Sequence, residues 1–286
     1  MKTNFGPLLA LTLLACVRPC VAADASPLSH VSPPPGLVPA GTKATVAALV
    51  CFLEGPAADR AGNLFFSDVS GNRILKMTQA GDVSVFRSDS GRTNGNCFDA
   101  QGRLVSCEGY GLGPGGRRRI VRTDMKTGRI TVLTDLYQGK RYNSPNDVCA
   151  DATGRIWFTD PCYGDRGQME MDVEGVYRID ADGQVTRVLT QPEVQKPNGI
   201  AISADNHTLY VVDSNDAVGG NRKIWAFAIG ANGRLGNQRL VYDFHQGRGG
   251  DGIRTDVEGN LWVAAGIQTP RPPGEVLGIP QGIYVL

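Results

Sequence analysis

Five residues stand at one fixed place in a repeating pattern: Glu54, Asn94, Asn146, Asn198 and Asp251. Each lies five residues before an acidic residue or Ser that opens a hydrophobic strand, as in NSPNDVCAD (143–151) and KPNGIAISAD (196–205). Together they offer two carboxylates and three amides, with no thiol or imidazole. That is a hard-oxygen set, suited to Ca2+ and less well to Mg2+ or Mn2+. Two carboxylates neutralise a divalent cation and leave positions for water or substrate oxygens. Asn and Asp at strand entrances also make turns on their own account. The common register of all five is what points to a metal ring.

Such a ring needs elements that bring positions far apart in sequence onto one axis. The phrase that follows each position recurs as DRAGNLFFSD (59–68), DAQGRLVSCE (99–108), DATGRIWFTD (151–160), SADNHTLYVVD (203–213) and DVEGNLWVAA (256–265). Its first hydrophobes, Leu64, Leu104, Ile156, Leu209 and Leu261, are 40, 52, 53 and 52 residues apart. A turn followed by β-branched or aromatic residues signals a hairpin. Two more strand-like pieces follow most repeats, as in EGVYRIDADGQVTRVLT (174–190), and no stretch keeps a helical period. Four strands every 40–53 residues is the period of propeller blades, which bury their faces only against neighbouring blades. Each innermost strand then begins at the central channel, so the five positions face one axis. Trp157, Trp225 and Trp262 lie in strands and are expected between blades.

The N-terminus reads differently. MKTN followed by FGPLLALTLLACV resembles an export leader cut after Ala23 or Ala25, with an apolar core too short to span a bilayer. LLAC at 13–16 offers a lipoprotein-type alternative with Cys16 as the anchor. The expected layout is a leader over 1–23, a Pro-rich spacer over 24–42 and a propeller over 43–286. Location is expected to be periplasmic or extracellular, with no transmembrane span. A formal net charge of +1 over 286 residues gives no basic field for nucleic acid. Beyond the leader stand Cys51, Cys97, Cys107, Cys149 and Cys162, expected as buried apolar residues.

Competing chemistry lacks its motifs. There is no G-x-S-x-G elbow, and the three histidines are His30, His207 and His245. His245, six residues before Asp251, is expected on the surface. GLGPGGRRR (111–119) lacks the Lys-Ser/Thr of a P-loop and reads as a glycine-rich loop with a solvated basic run.

The stretches EGPAADRAGNLFFSD, NSPNDVCADATGRIWFTDPCYG, KPNGIAISADNHTLYVVDS and GRGGDGIRTDVEGNLWVAAG resemble the SMP-30/gluconolactonase/regucalcin family of six-bladed β-propellers. The resemblance runs from about residue 48 to the end. It implies a divalent metal, Ca2+ first and Mg2+, Mn2+ or Zn2+ as alternatives, held by Glu54, Asn146, Asn198 and Asp251. It implies hydrolysis of lactones, sugar lactones such as gluconolactone especially, with Asp251 as general base and then acid. Asn94 receives no role from the resemblance and stands as a substrate-facing candidate. Some members carry an Arg two residues before the first channel Asn, where it meets a sugar hydroxyl. Here that position is Ser144, which leaves the choice of lactone open. QGIYVL (281–286) matches EGVYRI (174–179), so five repeats are visible and the sixth blade is expected to be incomplete. Two other functions fit the same ring: a non-catalytic extracellular propeller stapled by Ca2+, and a phosphotriesterase-like hydrolase.

Overall fold

Each repeated Asp-Gly phrase folds as a tight hairpin because its aspartate accepts backbone N–H groups of the turn it opens. Asp59 accepts from Ala61 and Asn63, Asp99 from Gln101 and Arg103, Asp151 from Thr153 and Arg155, and Asp256 from Glu258 and Asn260. These aspartates lock turns at the far end of each inner strand and belong to no chemistry.

The computed structural model describes residues 36, 52–109, 116–266, 269–270 and 272–286. The expected leader, Cys16, Cys51 and, apart from Gly36, the Pro-rich spacer lie outside the described residues, as do residues 110–115. Residues 47–286 group as one compact unit. Its first sheet is β1 (Leu53–Ala58), β2 (Leu64–Asp68), β3 (Arg73–Met77) and β4 (Val83–Ser88). The second is β5 (Thr93–Phe98), β6 (Leu104–Glu108), β7 (Arg119–Thr123) and β8 (Ile130–Thr134). A small ribbon, β9 (Leu136–Tyr137) and β10 (Lys140–Arg141), leads to the third sheet. That sheet is β11 (Val148–Ala150), β12 (Ile156–Asp160), β13 (Gly175–Ile179) and β14 (Val185–Leu189). The fourth is β15 (Pro197–Ile202), β16 (Thr208–Ser214), β17 (Arg222–Ile229) and β18 (Leu235–Asp243). The fifth has three strands, β19 (Gly250–Thr255), β20 (Leu261–Ala265) and β21 (Gly282–Val285).

Every sheet is antiparallel with its strands in sequence order, and the inner strands neighbour one another as β1, β5, β11, β15 and β19. The protein is an all-β propeller of five visible blades. Its core is divided into one cluster per blade junction, fed by the alternation of side chains along each strand. Leu104 faces blade one with Phe65 and Ile74, whereas its neighbour Val105 faces blade three with Val148 and Phe158. Val211 packs with Trp157 and Val176 toward blade three, and Val212 with Ile253 and Val263 toward blade five. A sixth blade is not found among the described residues.

Trp157 is fully buried at the junction of blades three and four, where Trp225 packs half-buried. Trp262 departs from the expectation: it lines the axial cavity, because no sheet covers that face of blade five among the described residues. Cys97, Cys107, Cys149 and Cys162 are free thiols. Burial pushes the Cys97 thiol up to about 12 and those of Cys107 and Cys149 well above the ordinary range, which makes them unreactive packing residues. No helix of the described residues is long and apolar enough to cross a membrane.

Candidate metal and catalytic site

The five ring residues occupy the irregular points of the inner strands. Pairing slips in β1 between Glu54 and Ala57, in β5 between Thr93 and Asn96, in β15 between Pro197 and Ile200, and in β19 between Gly250 and Ile253. Asn94, Asn198 and Asp251, each with the glycine that follows, are therefore bulged out of the ladder. Asn146 stands just ahead of β11, with its N–H on Thr159 O at 2.8 Å. A bulge breaks the alternation of a strand and re-aims a side chain. Here it turns Glu54, Asn94, Asn146, Asn198 and Asp251 onto one cavity of about 570 Å3, shared with Asp147, Arg254 and Trp262.

Three glycines let the inner strands touch backbone to backbone. A Cβ on Gly55 would stand 2.3 Å from Asn94 O, one on Gly95 2.6 Å from Asn146 O, and one on Gly199 2.3 Å from Asp251 O. Hydroxyls of the second strands take up neighbouring ring carbonyls: Ser67 Oγ donates to Asn94 O at 2.8 Å and Thr159 Oγ1 to Asn198 O at 2.7 Å. The approach to the ring is fixed as well. Buried Asp160 accepts from the Asn143 and Ser144 N–H groups, and buried Asp213 from those of Gln195 and Lys196. With the backbone satisfied, the ring side chains remain to meet a ligand.

The electrostatics of the cavity are unbalanced at Glu54. Burial pushes its carboxyl up to about 8, the nearby charges of Asp251 and Asp147 add to this, and Arg248 and Arg254 pull it back. Glu54 has no ion pair or hydrogen bond of its side chain within the described residues, whereas the other acids do. Arg248 Nη2 donates to Asp251 Oδ2 at 3.3 Å and also pairs with Glu275 at 3.5 Å. Asp147 accepts from the N–H groups of Val148 and Ile200 and from both terminal nitrogens of Arg254, at 2.9 and 3.1 Å. Carboxylates crowded in one cavity, with one of them lacking a cation, suit a divalent ion. No group of three or more His, Cys, Asp or Glu side chains is placed to hold a metal among the described residues. The candidate donors are instead carboxylates mixed with amides.

Arg254 and Asp147 were not among the expected site residues. Arg254 donates to Asp147, to Asn96 O at 3.1 Å and to Ile253 O at 2.6 Å, so it crosses the axis from blade five to blades two and three. Its repeat counterparts, three residues after each ring position, are Ala57, Cys97, Cys149 and Ala201. Four small residues leave the room that one arginine fills. Asp147 occupies a place that is glycine in the other repeats, at Gly55, Gly95, Gly199 and Gly252. Aligning the repeats against one another would have exposed both departures. The basic run at 117–119 also differs from expectation. Arg117 and Arg119 close on the buried Glu108 carboxylate together with Arg87, and Arg118 is itself buried beside Glu170. His245 is exposed, as expected.

Residues 52–278 match the SMP-30/gluconolactonase/LRE-like region. The chain belongs to this family. A gluconolactonase of Zymomonas mobilis is 35% identical to this family member over 260 residues, 83% of this chain and 71% of the relative. The solved structure of a gluconolactonase from Xanthomonas campestris is 36% identical, with a TM-score of 0.65 over 76% of this chain and 71% of that one. A calcium-binding regucalcin of Agrobacterium tumefaciens is 21% identical, with a TM-score of 0.60 over 77% of this chain and 69% of that one, a likeness of fold. Membership in the SMP-30/gluconolactonase/LRE-like family sets the chain among lactonase-type hydrolases of carboxylic esters.

Proposed function

We propose that the protein is an exported, metal-dependent lactonase of the gluconolactonase kind, with Ca2+ the first choice of metal. The observation that carries this reading is the convergence of Glu54, Asn146, Asn198 and Asp251 on one cavity, where the Glu54 carboxyl lies near two other carboxylates and has no ion pair of its own among the described residues. These four residues would hold the ion, and Asn94 lines the same wall toward substrate. The names of the relatives supply the substrate class. We take the ring to be of the six-bladed type with its sixth blade incomplete in these residues. Export rests on the leader-like start of the sequence.

Held by Glu54, Asn146, Asn198 and Asp251, a divalent ion would polarise the lactone carbonyl and offset the charge that develops on its oxygen. The chain's own part is proton transfer and orientation. Arg248 engages Asp251 Oδ2, leaving Oδ1 to take a proton from water as the water oxygen bonds to the carbonyl carbon. The bond from that carbon to the ring oxygen then breaks, and Asp251 returns the proton to the departing oxygen. Arg254 and Asp147 close the floor of the cavity, and Trp262 and Ile283 give it an apolar wall.

The test is Asp251→Asn assayed at saturating Ca2+. Asparagine keeps an oxygen ligand of the same shape but accepts no proton, so turnover should fall by roughly 10²–10⁴-fold while the ion still binds. Turnover near that of the unaltered protein would overturn the proton-transfer role. Gluconolactone and a phosphotriester run side by side separate lactonase from phosphotriesterase. Binding of Ca2+ without turnover of either would favour a stapled, non-catalytic propeller.

A further inference from the structure

Tyr163 lies in DPCYGD, the loop that leaves β12 at the ring end of blade three. One face of its ring is covered by the Lys196 ammonium, 4.8 Å from the centroid, and Lys196 is tethered to Asp216 at 2.8 Å. The hydroxyl is shut off from solvent, and no protein group meets it with full hydrogen-bond geometry among the described residues, although the Asn198 side chain lies beside it. Its neighbours are the Asn198 side chain and the Asp251 carboxylate. A buried hydroxyl left in this state is unfavourable unless it serves something.

Asn198 has an ambiguity that the ring carboxylates lack. It is 4% exposed, and its amide can present either oxygen or nitrogen to the axis. Only the oxygen ligates a cation. The Tyr163 phenol oxygen beside the amide is able to accept its Nδ2–H, which would turn Oδ1 toward the cavity. We propose that Tyr163 is a positioning residue that holds the Asn198 amide with its oxygen toward the axis, ready for a divalent cation. The inference rests on the metal reading of the ring. Lys196 keeps the phenol in place from the other side, and groups that orient a metal ligand in this way commonly set its affinity.

Calcium calorimetry on four proteins tests it: the unaltered chain, Tyr163→Phe, Asn198→Asp and the double variant. Phenylalanine keeps the ring beneath Lys196 and removes only the hydroxyl. Tyr163→Phe should weaken calcium binding by roughly 10-fold or more. In the Asn198→Asp background the same change should cost less than about twofold, because a carboxylate presents oxygen whichever way it turns. The melting temperature of each calcium-free protein reports any separate effect on packing. An equal loss in both backgrounds would make Tyr163 a packing residue and overturn the proposal, as would no loss in either. Absence of calcium binding by the unaltered chain would remove the metal reading of the ring, and the inference with it.

Discussion

Glu54 keeps its proton up to about pH 8 in the cation-free protein, because burial and two neighbouring carboxylates oppose its charge. The unfolded chain loses that proton near pH 4.5. The folded state therefore binds the extra proton between these values, and the stability tied to it is present below pH 4.5 and lost as pH rises through about 8. A cation must displace the same proton, so calcium affinity should climb across this window, by up to about tenfold per pH unit, and level off above it. Thermal melts with and without calcium at several pH values check both halves, and Glu54→Gln should flatten both. Arg254 gives a second expectation at this scale. Arg254→Met leaves buried Asp147 with only backbone partners and should cost up to about 3 kcal/mol in urea unfolding, less for the cavity-facing exposure of the arginine. Adding Asp147→Asn should recover part of it. The ring residues were legible in the sequence because their type repeats at one offset. Arg254 and Asp147 were not, since each is a single departure whose partner lies on another blade, and neither was Tyr163, whose neighbour Asn198 belongs to the next blade.

At the scale of elements, the site depends on bulged inner strands whose backbones touch. Gly199→Ala would drive a Cβ to 2.3 Å from Asp251 O, whereas Gly252, its counterpart in blade five, has nothing within 4 Å of an added Cβ. Gly199→Ala should therefore lower the urea midpoint and weaken calcium binding together, because relief requires β19 to move with Asp251. Gly252→Ala should change stability by no more than about 0.5 kcal/mol. Equal effects of the two would contradict the packing of inner strand on inner strand. The hairpins were readable from Asp-Gly turns, which are local. The bulges were not, because a slip in pairing is defined only by the partner strand. The arginines after residue 116 were misread for a related reason: the charge they neutralise, Glu108, lies on the preceding strand and is buried.

The molecule as a whole is a ring of sheets whose cores lie between blades, so the geometry of the axis is set jointly by all of them. That is why the repeat spacing forecast the propeller, and why the fate of Trp262 followed from a face of blade five left uncovered among the described residues rather than from the residue itself. On the proposed reading, function at this scale would reduce to one dependence: five inner strands converge on a cavity whose oxygen ligands would hold a cation against a lactone. The direct measurement is gluconolactone opening, followed by acid release and corrected for spontaneous hydrolysis, on protein stripped by a chelator and shown by elemental analysis to be metal-free. The account predicts that turnover falls to near the spontaneous rate on stripping and returns when one equivalent of calcium is added. Undiminished turnover by verified metal-free protein would contradict it.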